Sequence, residues 1–131
     1  PFALFIFIAL QGAIMTLMGH SYVLAIHSFG VAVLAELVRK FLGYKTIKGS
    51  IAGYAVMCAH CAGEFLPIYI VSEQYRAVTE TMMGKEYADQ LMSLPIWIMP
   101  ILYVTAIIGG VLGGFLGVKI LKKHFAKAGL V

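Results

Sequence analysis

Charge is what this sequence has least of. Of its 131 residues, 10 are Lys or Arg and 6 are Asp or Glu, so 12% are charged while 61% are apolar. A soluble domain averages about 25% charged residues. A chain this poor in charge, with a mean hydropathy of +0.92, lacks the polar surface that would keep it in water. A soluble enzyme and a nucleic-acid-binding domain are both excluded, and the net charge of +4 needs another explanation. The length leaves room for only a few membrane crossings.

Other absences narrow the chemistry. Two cysteines within one apolar stretch are too few for a disulfide framework. No G-x-x-x-x-G-K-[ST] loop is present, so the chain does not itself hydrolyse nucleotides, and H-E-x-x-H and G-x-S-x-G are also missing. The chain starts at Pro1 without an initiator Met or a basic stretch. Segment 2–18 has no small-residue cleavage site and is followed at once by another apolar run, unlike a signal peptide. This start reads as truncated, with N-terminal residues missing.

What is there is apolar length. Segments 2–18, 22–38, 51–71 and 94–118 each approach the roughly 20 residues that cross a bilayer core. The expected fold is therefore an all-α integral membrane bundle with four transmembrane helices in one domain. Arg39, Lys40, Lys45 and Lys48 occupy the second connection, and Lys119, Lys122, Lys123 and Lys127 follow the last span. The positive-inside rule places both regions, and the C-terminus, in the cytoplasm. The outer side then holds Gly19-His20-Ser21, a tight turn, and segment 72–93. Tyr22, Tyr69, Tyr75 and Trp97 fall at the outer interface, where aromatic belts form.

Residues 78–92, "VTETMMGKEYADQLM", read as a short amphipathic helix broken at Gly84, either a lid over the outer mouth or a solvated connector. Pro67 and Pro100 predict kinks near the outer ends of the third and fourth helices. "IIGGVLGGFLG" places Gly109, Gly110, Gly113, Gly114 and Gly117 at four-residue spacings, a helix-packing signal. "GSIAG", from Gly49 to Gly53, repeats the spacing on the third helix. Glu36, with Arg39 and Lys40 one turn on, reads as a helix-end ion pair.

"MCAHCAGE", residues 57–64, is the densest polar stretch inside a span. On an α-helical wheel of about 100° per residue, Met57, His60, Cys61 and Glu64 share one arc and Cys58 points away. An intramembrane carboxylate is costly and marks a functional candidate by default. Glu64 is expected to face protein or a water-filled cavity, as part of a substrate site or an interhelical hydrogen bond. His20 and His27 lie seven residues apart on nearly one face, with His27 at the depth of Glu64. They could ligate a metal or an iron porphyrin, or His27 could hydrogen-bond Ser21, Ser28 or a backbone carbonyl. Cys58 and Cys61 do not converge for zinc. A thiol–quinone oxidoreductase is the competing enzyme reading, but mid-helix cysteines lack the helix N-terminus that stabilises a thiolate. Packing is the simpler role.

"GGFLGVKILKKHFAKAGLV" (113–131), "YKTIKGSIAGYAV" (44–56), "GKEYADQL" (84–91) and "MGHSY" (18–22) resemble the Trep_Strep (MptD-like) family across essentially the whole chain. The resemblance is to substrate-binding S components of energy-coupling factor (ECF) transporters, of whose six helices this chain would hold the last four. It implies a subunit of an ABC-type importer in the bacterial cell membrane, with no catalytic residues and no intrinsic cofactor. Such a subunit captures a micronutrient outside and docks on a transmembrane coupling subunit driven by two cytoplasmic ATPases, which use the ATP. The small-residue docking motif of the first helix of such proteins is not in this sequence. Substrate-binding regions carried over in this way, together with the polar residues above, give His20, Tyr22, His27, His60, Glu64, Tyr69, Tyr75 and Trp97 as the candidate site. The His, Met and Tyr around the outer mouth suggest haem or a metal compound as cargo. The alternative is a water-soluble vitamin stacked on Trp97, Tyr69 and Tyr75. Replacing Cys58 and Cys61 together by Ser is expected to leave solute uptake unchanged; an uptake assay that falls to background with this variant would revive the redox reading.

Overall fold

The computed structural model describes residues 2–124, with side chains for 2–123. The described residues form helices joined by short turns, with no strand among them. Chain order gives α1 (Ala3–Leu17), α2 (Tyr22–Leu42), α3 (Ile47–Cys58), a 3₁₀ segment (Ala59–Phe65), α4 (Pro67–Ile70), α5 (Ser72–Met83), α6 (Lys85–Met92) and α7 (Ile98–His124).

Each reversal has a local cause. The end of α1 closes in a Schellman arrangement. The Gly19 amide bonds the Thr16 carbonyl, the His20 amide bonds Met15, and Gly19 takes φ +97°. Ser21 then caps α2 by accepting from the Val23 amide at 3.3 Å. Thr46 caps α3 in the same way, its hydroxyl accepting from Gly49 at 2.9 Å.

The long helices lie in a row rather than a closed bundle. α1 packs on α2, α2 on α3, and α3 on α7, so α1 and α7 form the two edges. Glycines set the spacing. A Cβ on Gly12 would lie 2.7 Å from the Ser28 Cβ, which brings α1 onto α2. Gly110 and Gly114 face Ala55, Cys58 and Ile51 of α3, while Gly49 and Gly53 face the other way, toward Gly43, Thr46, Arg39 and Leu4. The two small-residue motifs therefore do not meet each other. Ile8, Val31, Ala32 and Ala35 form the small core between α1 and α2, with Phe5, Val56 and Met57 against it.

Two helices, Tyr22–Leu42 and the Ile98–Lys123 stretch of α7, are long and apolar enough to cross a membrane; α1 is apolar but has 15 residues, about 22 Å of rise. Only 6% of the α7 window is buried within the chain, so its side chains face outward along most of its length.

Segment 51–71 departs from the single helix expected of it. The cause is at Pro67, which has no amide to give the Gly63 carbonyl. Leu66 supplies one instead, at 3.1 Å with 3₁₀ spacing, and the tighter winding runs back to Ala59. Pro100 does not kink α7, because it lies in the first turn, where no intrahelical amide bond is lost. Gly84 breaks the amphipathic segment as expected, with φ +90°, although α5 begins earlier, at Ser72. Glu36 accepts from the Phe2 amide at 2.8 Å, tying α2 to the start of α1. Arg39 instead lies over the Tyr44 ring, 5.5 Å from its centroid.

Gly110→Ala must push the α3 backbone, since its Cβ would lie 2.7 Å from the Ala55 Cα; we expect a loss of about 1–3 kcal/mol. Gly109→Ala meets nothing within 4 Å and should leave stability unchanged. Thermal unfolding of the two variants in one detergent makes the comparison.

Candidate functional site

The turn between α1 and α2, together with α5 and α6, borders an open cavity of about 560 Å³, most of whose lining residues keep exposed surface. His20 and Tyr22 come from the turn, Tyr75, Thr79 and Met82 from α5, and Tyr87 from α6. Its two walls are built differently. The turn wall is fixed by the Schellman bonds and the Ser21 cap. The α5–α6 wall bends at Gly84, around which a Cβ would meet nothing within 4 Å, and is tied across by an Arg76–Asp89 ion pair. Burial raises the Tyr75 hydroxyl above the ordinary tyrosine value, and Tyr87 and the charge of Glu64 push it further the same way. Tyr75 is thus a neutral hydrogen-bond donor throughout the physiological range.

A second polar group lies deeper, where α2, the 3₁₀ segment and α7 meet. The Ser28 hydroxyl donates to the Leu24 carbonyl at 2.6 Å and lies 2.9 Å from His60 Nδ1. A hydroxyl has one proton, so Ser28 accepts from His60 Nδ1–H and leaves Nε2 as a bare lone pair. Ser28 is fully buried and His60 is 4% exposed. Beside them, His27 Nε2 pairs with the Tyr103 hydroxyl at 2.7 Å. The His27 ring lies so close to Gly63 that a Cβ there would be 2.0 Å from Nδ1. His60 and Gly63 are three residues apart in a 3₁₀ turn, and so eclipse on one face opposite the adjacent His27 and Ser28. Among the described residues, His27 Nδ1 and His60 Nε2 are buried without a hydrogen-bond partner.

The predicted residues therefore separate into groups. His20, Tyr22 and Tyr75 line the cavity together. His27 and His60 belong to the deeper cluster. The polar stripe expected of residues 57–64 does not form, because the wheel assumed 3.6 residues per turn where the chain winds at three. His60 turns inward, while Cys61 and Glu64, three apart, are both exposed. Glu64 is exposed and does not line the cavity, although its charge reaches Tyr75, which does. The Tyr69 hydroxyl shares its one proton between the Leu94 and Pro95 carbonyls, at 3.1 and 3.2 Å, pinning the approach to α7. Trp97 is 62% exposed and outside the cavity.

His20 lines the cavity while His27 sits in the deeper cluster with one nitrogen paired to Tyr103, so the two histidines are not brought together. His27 does not bond Ser21 or Ser28. Among the described residues no group of three or more His, Cys, Asp or Glu is placed to hold a metal ion. Cys58 and Cys61 are both free thiols, and Cys58 packs where α3 meets Gly110.

Sequence reasoning missed Tyr87, Gly63 and Tyr103, and it offered Ser28 as a partner for His27 rather than for His60. Tyr87 was discoverable from the apolar face of its short helix. Nothing local signalled that Tyr103 would meet a histidine 76 positions away.

Apolar helices of crossing length, an exposed apolar perimeter and polar groups gathered inside define an all-helical integral membrane protein. A family model described as "Hypothetical bacterial integral membrane protein (Trep_Strep)" matches residues 1–127, and the chain belongs to that family. No curated protein and no solved structure matches it.

Gly63→Ala is expected to destabilise the protein by about 1–3 kcal/mol through overpacking, and His27→Ala to remove most of that penalty by vacating the space. A double-mutant cycle on thermal unfolding should therefore show strong coupling between the two positions; additive losses would mean that the contact is slack.

Proposed function

We propose that the chain is the substrate-binding subunit of an ECF-type importer in the bacterial cell membrane. In this reading the four apolar segments all cross the bilayer as part of a larger six-helix unit, and the lysine-rich ends face the cytoplasm. The cavity at the opposite end then opens outward. It captures a micronutrient there, and a coupling subunit with two cytoplasmic ATPases supplies the work of uptake. The chain itself performs no chemistry.

The observation that carries this reading is the cavity. Its volume is that of a site for a small organic molecule, and it is assembled from a rigid turn and a hinged helix pair. A purely structural membrane subunit has no need of such a space. A small-molecule site closed by α5 and α6 also explains why an amphipathic pair sits over one end of an otherwise apolar row. The packing of Cys58 against Gly110 supports a structural rather than redox role for the cysteines. An iron-bearing cargo would find a single histidine in the cavity, His20.

Affinity purification from native membranes tests the assembly: a coupling subunit and an ATPase pair should accompany the chain. In a reconstituted uptake assay, Tyr75→Ala should lower apparent affinity about tenfold, the loss of one well-packed aromatic anchor. Trp97→Ala should leave uptake unchanged. The reverse pattern would move the site from the cavity to the α7 end.

A further inference from the structure

The cavity has a property that its size does not convey. The described residues lining it include no Asp, Glu, Lys or Arg, although the two helices that wall it carry six such residues between them. Glu73, Arg76, Glu80, Lys85, Glu86 and Asp89 all lie on other faces of α5 and α6, with Arg76 and Asp89 paired to each other. What faces inward is aromatic and soft. Tyr22, Tyr75 and Tyr87 provide ring faces and hydroxyls, and Met82 and Met83 provide polarisable, adaptable surface. Gln74, Thr79 and the exposed His20 add hydrogen-bonding groups.

A buried charge without a counter-charge is costly even when partly hydrogen-bonded. A carboxylate or phosphate entering this space would meet no lysine or arginine among the lining residues and would be opposed by the charge of Glu64 felt at Tyr75, while an ammonium would meet no lining carboxylate. Ring faces and thioethers, by contrast, match a flat apolar surface, and the tyrosine hydroxyls match a few hydrogen-bonding groups on it. We infer that the cavity takes a neutral, ring-containing organic molecule, recognised by stacking on its tyrosines and by a few hydrogen bonds. This rests on the reading of the cavity as the cargo site, and it sharpens that reading. Haem, with two carboxylates per molecule, fits this lining poorly.

The test uses two probes with one ring and different charge, benzamide and benzoate, presented to the full chain in lipid nanodiscs. Saturation-transfer NMR reads the binding. Benzamide should give a signal about tenfold above benzoate, the size of an unpaired-charge penalty in this range. Thr79→Trp, which fills the cavity, should abolish that difference and so separate it from partition into lipid. Val78 lines the same space, and there the sign of an introduced charge decides the matter. Val78→Arg and Val78→Asp should each reduce the benzamide signal by a similar factor. Equal wild-type binding of the two probes, or benzoate binding that rises with Val78→Arg, overturns the inference. So does a difference that survives Thr79→Trp. Purification decides the underlying reading separately. A chain that prefers benzamide but never accompanies an ATPase pair keeps the ligand class and loses the transport role. A chain that accompanies the ATPases while carrying an anionic compound does the opposite.

Discussion

The seating of the His27 ring against Gly63 fixes much of this structure. With no side chain at residue 63, the third apolar segment can lie directly on α2, and the adjacent Ser28–His60 hydrogen bond can close beside it. Both depend on the winding of the segment. Three residues per turn put His60 and Gly63 on the same side, so one histidine reaches across to α2 while the glycine receives a histidine from it. Pro67 sets that winding by leaving the Gly63 carbonyl without its α-helical partner. One imino acid thus determines which polar groups face the interior four to seven residues earlier.

The same logic of close approach extends along the row. Gly12 admits Ser28, Gly53 admits the Arg39 stem, and Gly110 and Gly114 admit α3. Membrane helices gain little from expelling apolar surface into a surrounding that is equally apolar, so contact area and short interhelical bonds carry the packing. The buried core is correspondingly small and the perimeter of α1 and α7 is apolar. These two facts are consistent with each other in lipid and would not be in water.

Much of the fold was legible because composition and run length report directly on solvent. Tight turns at Gly19 and Gly84 and the close approach at Gly110 and Gly114 follow from local rules and appear where the sequence places them, whereas the third apolar segment changes helix type within its length. The site was legible only in part. His20, Tyr22 and Tyr75 were identifiable as polar or amphipathic residues at one end of the row, a property of position along a span. The stripe through His60 and Glu64 did not form, because a wheel drawn at a fixed angle cannot register a local change of helix type. Trp97 and Tyr69 show a second limit: an aromatic at an interface can anchor a loop or lie outside the cavity altogether, and spacing does not distinguish these roles from binding. Tyr103 shows a third, since its pairing with His27 depends on the register between α2 and α7, which no short-range pattern encodes.

The Schellman closure at Gly19 has a dynamic consequence. It holds the His20 amide in a 3.0 Å bond to Met15, whereas the hinge at Gly84 has open space around its Cα. One side of the cavity is therefore a fixed reference and the other is compliant. A guest would gain affinity chiefly by how far it draws α5 and α6 toward the turn. On the reading of this cavity as the cargo site, ligands of different thickness would be distinguished by the cost of bending at Gly84, which the Arg76–Asp89 ion pair across the bend resists.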